Sequence, residues 1–101
     1  MPVPSALSPF ATEPVTVDAT VGGVRLTITN VLATPKPRAC VITVETAPLR
    51  WLADGTAPTS TAGHVANPTD VLEIQNAGEM GNFRAIRTGA TSATIRVSYY
   101  R

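Results

Sequence analysis

The one histidine of the 101-residue chain, His64, sits in a stretch from Asp54 to Asn67 that also carries Ser60 and Thr61, with Asp70 just beyond it. A hydroxyl, an imidazole and a carboxylate are the parts of an activated nucleophile, with the hydroxyl attacking, the ring taking its proton and the acid orienting the ring. No G-x-S-x-G elbow presents either hydroxyl, and such hydroxyls are commonplace in a Thr-rich chain. His64 therefore reads as a surface or interface residue, and no catalytic residue is expected.

Other chemistry is thinly supplied. Glu45 and Glu73 could be drawn as the acid pair of a glycoside hydrolase, but such sites also want an aromatic platform, and the chain has one Trp, two Tyr and two Phe. A metal site would have to recruit His64 or Cys40 together with Asp18, Asp54, Asp70, Glu45, Glu73 or Glu79, and no EF-hand-like spacing links these acids. Gly22-Gly23 precedes no helical pattern, and neither a P-loop nor a dinucleotide fingerprint occurs. No metal and no cofactor is expected.

Eight basic and seven acidic side chains are scattered singly, for a net charge of +1. That leaves no electropositive stripe for nucleic acid. No run approaches the 18 apolar residues of a membrane span, and Met1 to Phe10 lacks the basic flank and apolar run of a secretory signal. No membrane partner is expected. The single cysteine, Cys40, excludes an internal disulfide and fits a buried thiol kept in a reducing cytosol.

What remains are residues suited to contact. Arg84, Arg87, Arg96 and Arg101 gather near the C-terminus, where an arginine can fork onto a neighbour's carboxylate or discourage edge-to-edge aggregation. Trp51 and Tyr99 fall in apolar phase and read as core. Tyr100 falls out of phase and reads as a contact aromatic.

The elements that would position these residues are strands. Hydrophobic residues make up 44% and charged residues 15% of the chain, and much of the polar remainder is Thr and Ser, a composition that favours sheets. Residues 1–14 hold Pro2, Pro4, Pro9 and Pro14 among small residues and read as an extended arm preceding a domain over 15–101.

Val15, Val17, Ala19 and Val21, then Val24, Leu26 and Ile28, alternate with polar residues on either side of Gly22-Gly23. The spacing predicts a hairpin pairing Val21 with Val24, Ala19 with Leu26 and Val17 with Ile28. A turn follows around Pro35-Lys36-Pro37. Further strands are predicted over Arg38–Ala47, with Cys40, Ile42 and Val44 inward, and over Leu49–Ala53. Others follow over Asp70–Gln75, Phe83–Thr88 and Thr91–Tyr100, the last with Ala93, Ile95, Val97 and Tyr99 inward. Residues 54–67 read as a long loop with a task. No window shows helical periodicity. About seven short antiparallel strands at this spacing predict an all-β chain, a single small β-sandwich or jelly roll with an extended N-terminal arm.

From Ala39 to Tyr100 the chain resembles small β-sandwich virion proteins of tailed bacteriophages. The likeness rests on Val44-Glu45-Thr46-Ala47-Pro48-Leu49-Arg50, Asp54-Gly55-Thr56-Ala57-Pro58-Thr59, Gly63-His64, Phe83-Arg84-Ala85-Ile86-Arg87 and Ile95-Arg96-Val97-Ser98-Tyr99-Tyr100. The resemblance implies a capsid decoration or cement protein, made in the host cytoplasm and resident in the virion, that braces the major capsid protein or other virion subunits. It also implies a homo-oligomer, with a trimer favoured. Pro2, Pro4, Leu7, Pro9 and Phe10 of the arm, Thr56, Pro58 and His64 of the loop, and Arg84, Arg87 and Tyr100 are the expected contact residues. Removing residues 2–12 is then expected to leave a folded core. The alternatives are a neck, tail or spike-base component and, in a different class, a carbohydrate-binding or hydrolytic sandwich.

Overall fold

A computed structural model describes residues 7–27, 32 and 34–101. It is nearly all β, with two four-stranded antiparallel sheets facing each other over one core. The strands are β1 (Pro9–Val17), β2 (Val24–Arg25), β3 (Ala39–Glu45), β4 (Leu49–Leu52), β5 (His64–Ala66), β6 (Val71–Ile74), β7 (Arg84–Arg87) and β8 (Ala93–Tyr100). A short helix, α1 (Ala77–Asn82), lies between β6 and β7. The first sheet runs in the order β1-β8-β3-β6 and the second in the order β2-β7-β4-β5.

Alternation puts the core where the sequence predicts it in the two central strands of the first sheet. Ala93, Ile95, Val97 and Tyr99 of β8 are buried, and so are Cys40, Ile42 and Val44 of β3. The ladder sets Cys40 opposite Tyr99, Ile42 opposite Val97 and Val44 opposite Ile95, so each buried side chain has a buried neighbour across the strand. Leu49, Ala66 and Ala85 close the core from the second sheet, with Met80 of α1 and Phe83 sealing one end.

The N-terminal half is arranged differently from the sequence expectation. Residues 9–14, expected in the extended arm, are the first two-thirds of β1, which pairs with β8 from Pro9↔Tyr100 to Val17↔Ala93. Ser8 and Arg101 extend that pairing, each N–H donating to the other's carbonyl at 3.1 Å. Pro9 and Pro14 are tolerated because β1 is an edge strand, where a missing N–H leaves no ladder bond unmade. A shift of register between Pro9 and Ala11 also bends this edge away from further pairing. Pro2 and Pro4 lie outside the described residues.

The predicted hairpin across Gly22-Gly23 does not form. Asp18 ends β1 by accepting the Thr20 N–H at 2.9 Å and the Thr20 hydroxyl, a local turn that competes with the ladder. The chain then crosses to the other sheet, where Val24 pairs with Ala85 and Arg25 with Arg84. Val21, expected inward, is 98% exposed, and Ile28 lies outside the described residues. Gly22 has φ 89° and accepts the tight turn closed by Gly23 N–H donating to the Thr20 carbonyl at 2.9 Å.

The crossing from β3 to β4 is a second sharp corner. Ala47 N–H donates to the Glu45 carbonyl at 2.9 Å with Thr46 between them at φ 72°, a γ-turn. The Thr46 hydroxyl accepts the Thr94 N–H at 3.1 Å, which ties the corner to the start of β8. That tie offsets a backbone conformation uncommon for a β-branched residue.

Candidate protein-binding surfaces

The expected long loop is shorter and better held than its composition suggests. Its last residues, His64–Ala66, are β5, pairing Leu49 with Ala66, Arg50 with Val65 and Trp51 with His64. The rest folds over the outer face of the second sheet. Pro58 is buried there, and the Arg50 guanidinium fastens the segment by donating to the carbonyls of Ser60 at 3.1 Å and Gly63 at 2.8 Å. Thr56 stays exposed, its N–H held by the Asp54 carboxylate at 2.9 Å. That bond, then the Thr56 hydroxyl, holds Asp54 below the usual carboxylate range.

His64 is exposed and stacks obliquely on half-buried Trp51 at 5.2 Å, while Trp51 also stacks on Phe83 at 5.8 Å. The parts of a nucleophilic triad are therefore not assembled. Ser60 is bound through its carbonyl by Arg50, and Asp70 closes its own turn by accepting the Asn67 N–H at 2.8 Å. Among the described residues no hydrogen bond joins His64 to Ser60, Thr61 or Asp70. Glu45 and Glu73 fare similarly as an acid pair, since Glu73 lies opposite Val41, four residues back along β3. That is about 13 Å of strand, beyond the roughly 5–9.5 Å used by paired carboxylates. No group of three or more His, Cys, Asp or Glu among the described residues could hold a metal ion.

The expected contact residues fall into two groups. At one end of the sandwich, Pro9 and Tyr100 are register partners, and the half-buried Phe10 ring lies 6.2 Å from Tyr99 with the Arg101 guanidinium 4.2 Å above it. Leu7 borders an open cleft of about 500 Å³ with Lys36, Pro37, Arg38 and Ala77. On the second sheet, Arg84 and Pro58 come together beside Gly23, and Arg87 closes the strand end. Arg87 N–H donates to the Asp18 carbonyl at 3.1 Å, and its guanidinium reaches the Ser92 hydroxyl at 3.3 Å. Arg96 is instead on the first sheet, 4.0 Å from the Glu45 carboxylate.

Sequence reasoning missed Arg25 and Leu52, which share the outer face of the second sheet with Arg84 in one cross-strand row. The missing signal was the partner of β2. Once Arg25 is assigned opposite Arg84, alternation alone puts the row outside, because Ala85 next to it is buried.

Gly23 shows how tightly this face is built. Its φ is +85°, and a Cβ there would stand 3.0 Å from Arg84 Cβ and 3.2 Å from the Pro58 ring. Gly23→Ala is expected to lower stability by about 1–3 kcal/mol. Gly89→Ala, with nothing within 4 Å of the added carbon, is expected to change it by no more than about 0.5 kcal/mol. Urea midpoints of the two variants check this, and equal midpoints would contradict it.

Two titratable groups are buried in the core and not offered to any partner. Burial pushes the Cys40 thiol up to about 12. Burial also pushes the Tyr99 phenol well above its ordinary value, with the neighbouring Glu13 carboxylate adding to the shift.

Comparison with protein-family models, curated proteins and solved structures returns no match.

Proposed function

We propose that the chain is a structural protein of a bacteriophage virion, a capsid decoration or cement module that binds and braces neighbouring capsid subunits. The observation that carries this reading is where the recognition-type side chains stand. Arg25, Arg84 and Leu52 are displayed on the outer face of the second sheet, His64 is exposed at its β5 edge, and Pro9 and Tyr100 stand at one end of a two-layer slab. A slab of this kind presents surfaces to other proteins, and aromatic and arginine side chains are the ones enriched at such contacts. The likeness of Ala39–Tyr100 to small phage virion proteins supports the same reading. Symmetric self-association, with a trimer favoured, goes with it.

The test is direct. Particles purified from the phage that encodes the chain should contain it by quantitative mass spectrometry, at a copy number proportional to that of the major capsid protein. A copy number of a dozen or so per particle would move it to the neck, tail or spike base. Its absence from particles would overturn the proposal.

The place of β1 in the first sheet decides which truncation is tolerated. Removing residues 2–7 spares the Ser8–Arg101 pairing and all of β1, and is expected to leave the thermal midpoint within a few degrees while weakening particle attachment. Removing residues 2–12 strips Phe10 and Ala11 from the core that Tyr99 completes, and is expected to unfold the chain or lower its midpoint markedly. A fully stable 2–12 deletion would show that β1 is not part of the first sheet.

A further inference from the structure

We infer that the Arg25–Arg84 pair on the outer face of the second sheet is a docking point for an acidic segment of a second, different protein. The inference rests on the reading of the chain as a protein-binding module and specifies the chemistry of its partner.

Arg25 and Arg84 are register partners on adjacent antiparallel strands, so their side chains leave the same face of the sheet. Directly opposed residues have Cβ atoms about 4.5–5.5 Å apart, and like charges at that separation repel. Neither arginine side chain has a hydrogen-bonding or ion-pair partner among the described residues, and the Arg84 Nε is shut off from solvent without an acceptor. Four other arginines are engaged, and Arg38, exposed and without a side-chain partner among the described residues, stands just before β3 with no arginine as a register partner. Arg50 donates to Ser60 and Gly63, Arg87 to Ser92, and Arg101 to the Pro35 carbonyl, while Arg96 lies beside Glu45.

The pair is also held in place. Gly23 packs its bare Cα against the base of the Arg84 side chain, and Arg84 itself is half-buried, so part of its freedom is already lost before the guanidinium is engaged. With the Nε shielded, the two terminal nitrogens are the edge through which the Arg84 guanidinium can donate two parallel N–H bonds to a carboxylate. Arg25, exposed next to it, supplies a second cation, and Leu52 on the other side of Arg84 adds an apolar contact in the same row.

The occupant follows from charge. A second copy of this chain is poorly suited, because its seven acidic residues are never adjacent in sequence. Nucleic acid is disfavoured by a net charge of +1 and by an apolar side chain beside the pair. A protein segment carrying clustered Asp or Glu meets both requirements.

The experiment follows the Nε–Hε resonances of the full chain, ¹⁵N-labelled at arginine, as a hexaglutamate peptide capped at both ends is added at low salt. The expected result is a saturable shift of the Arg84 resonance, binding at least tenfold weaker in Arg25→Gln and Arg84→Gln, and unchanged binding in Arg96→Gln. Inorganic phosphate and an oligothymidylate are titrated in parallel and should bind more weakly than the peptide. Equal peptide binding by all variants, or tighter oligothymidylate binding at Arg84, would overturn the inference. Particle mass spectrometry separates the two proposals, since a chain absent from particles that still binds the peptide through Arg25 and Arg84 defeats the virion reading alone.

Discussion

Ile95→Ala is expected to lower stability by about 2–5 kcal/mol, and Arg96→Ala, one residue further along β8, to change it by less than about 0.5 kcal/mol. Ile95 is 1% exposed and stands between Val15 of β1 and Val44 of β3, so truncation leaves a cavity flanked by the neighbours least able to collapse into it. Arg96 points the other way, between Pro14 and Thr43, and its 4.0 Å approach to Glu45 takes place in solvent, where such pairs contribute little. Urea denaturation of the two variants checks the contrast. Equal losses would mean that the faces of β8 are reversed and that the two sheets do not meet as described.

Alkaline pH is the second large lever. Cys40 and Tyr99 hold their protons more tightly folded than unfolded, because burial disfavours the thiolate and the phenolate. The stability they contribute is therefore fully present below their unfolded values and is lost as pH rises through the folded ones. For Cys40, moved from 9.0 to about 12, three pH units at about 1.4 kcal/mol each give a loss approaching 4 kcal/mol by pH 12. Cys40→Ala should be somewhat less stable at pH 7 yet lose stability less steeply above pH 9, and Tyr99→Phe should flatten the slope further. Urea midpoints between pH 7 and 11 read this directly, and an unchanged slope in both variants would contradict the buried placement of these groups. On the acid side Asp18 is held below the usual carboxylate range by the Thr20 hydroxyl and then the Thr20 N–H, but its carboxylate lies at the surface. Its contribution, lost as pH falls through its depressed value, is expected to be minor.

The contrast between these residues and the N-terminal half shows what a sequence can display. β3 and β8 are central strands with a neighbour on each side, and their side-chain period alone determines which residues meet the core. Cys40, Ile42, Val44, Ile95 and Val97 are accordingly legible from alternation alone. Pairing partners are not, because the same alternation in Val15–Val21 and Val24–Ile28 fits a local hairpin and two strands in different sheets equally well. The deciding group was a polar one, the Asp18 carboxylate that ends β1 before the glycines. Prolines misled in the same way at the other end of β1, since Pro9 and Pro14 break a central strand but not an edge.

The helix and β5 escaped for a different reason. α1 has six residues, two of them glycines, too few for periodicity to register. Its one signal was Asn76 followed by Glu79, whose N–H donates to the Asn76 side chain at 2.7 Å in a helix-capping arrangement. β5 hides in a stretch of small residues because its partner β4 and the Arg50 staple hold it, which is a tertiary cause. The surface was half legible. Arg84 and Pro58 stood out by type, while Arg25 and Leu52 became part of the same face only when the sheet order brought them beside Arg84.

Whether this slab braces a capsid is tested most directly by a cryo-electron-microscopy map of the particle that carries it. The account predicts density for a pair of four-stranded sheets repeated with the shell's symmetry, its outer faces or its Pro9–Tyr100 end seated against capsid subunits. A particle shell fully explained without it, and a purified chain that binds no shell component, would contradict the account.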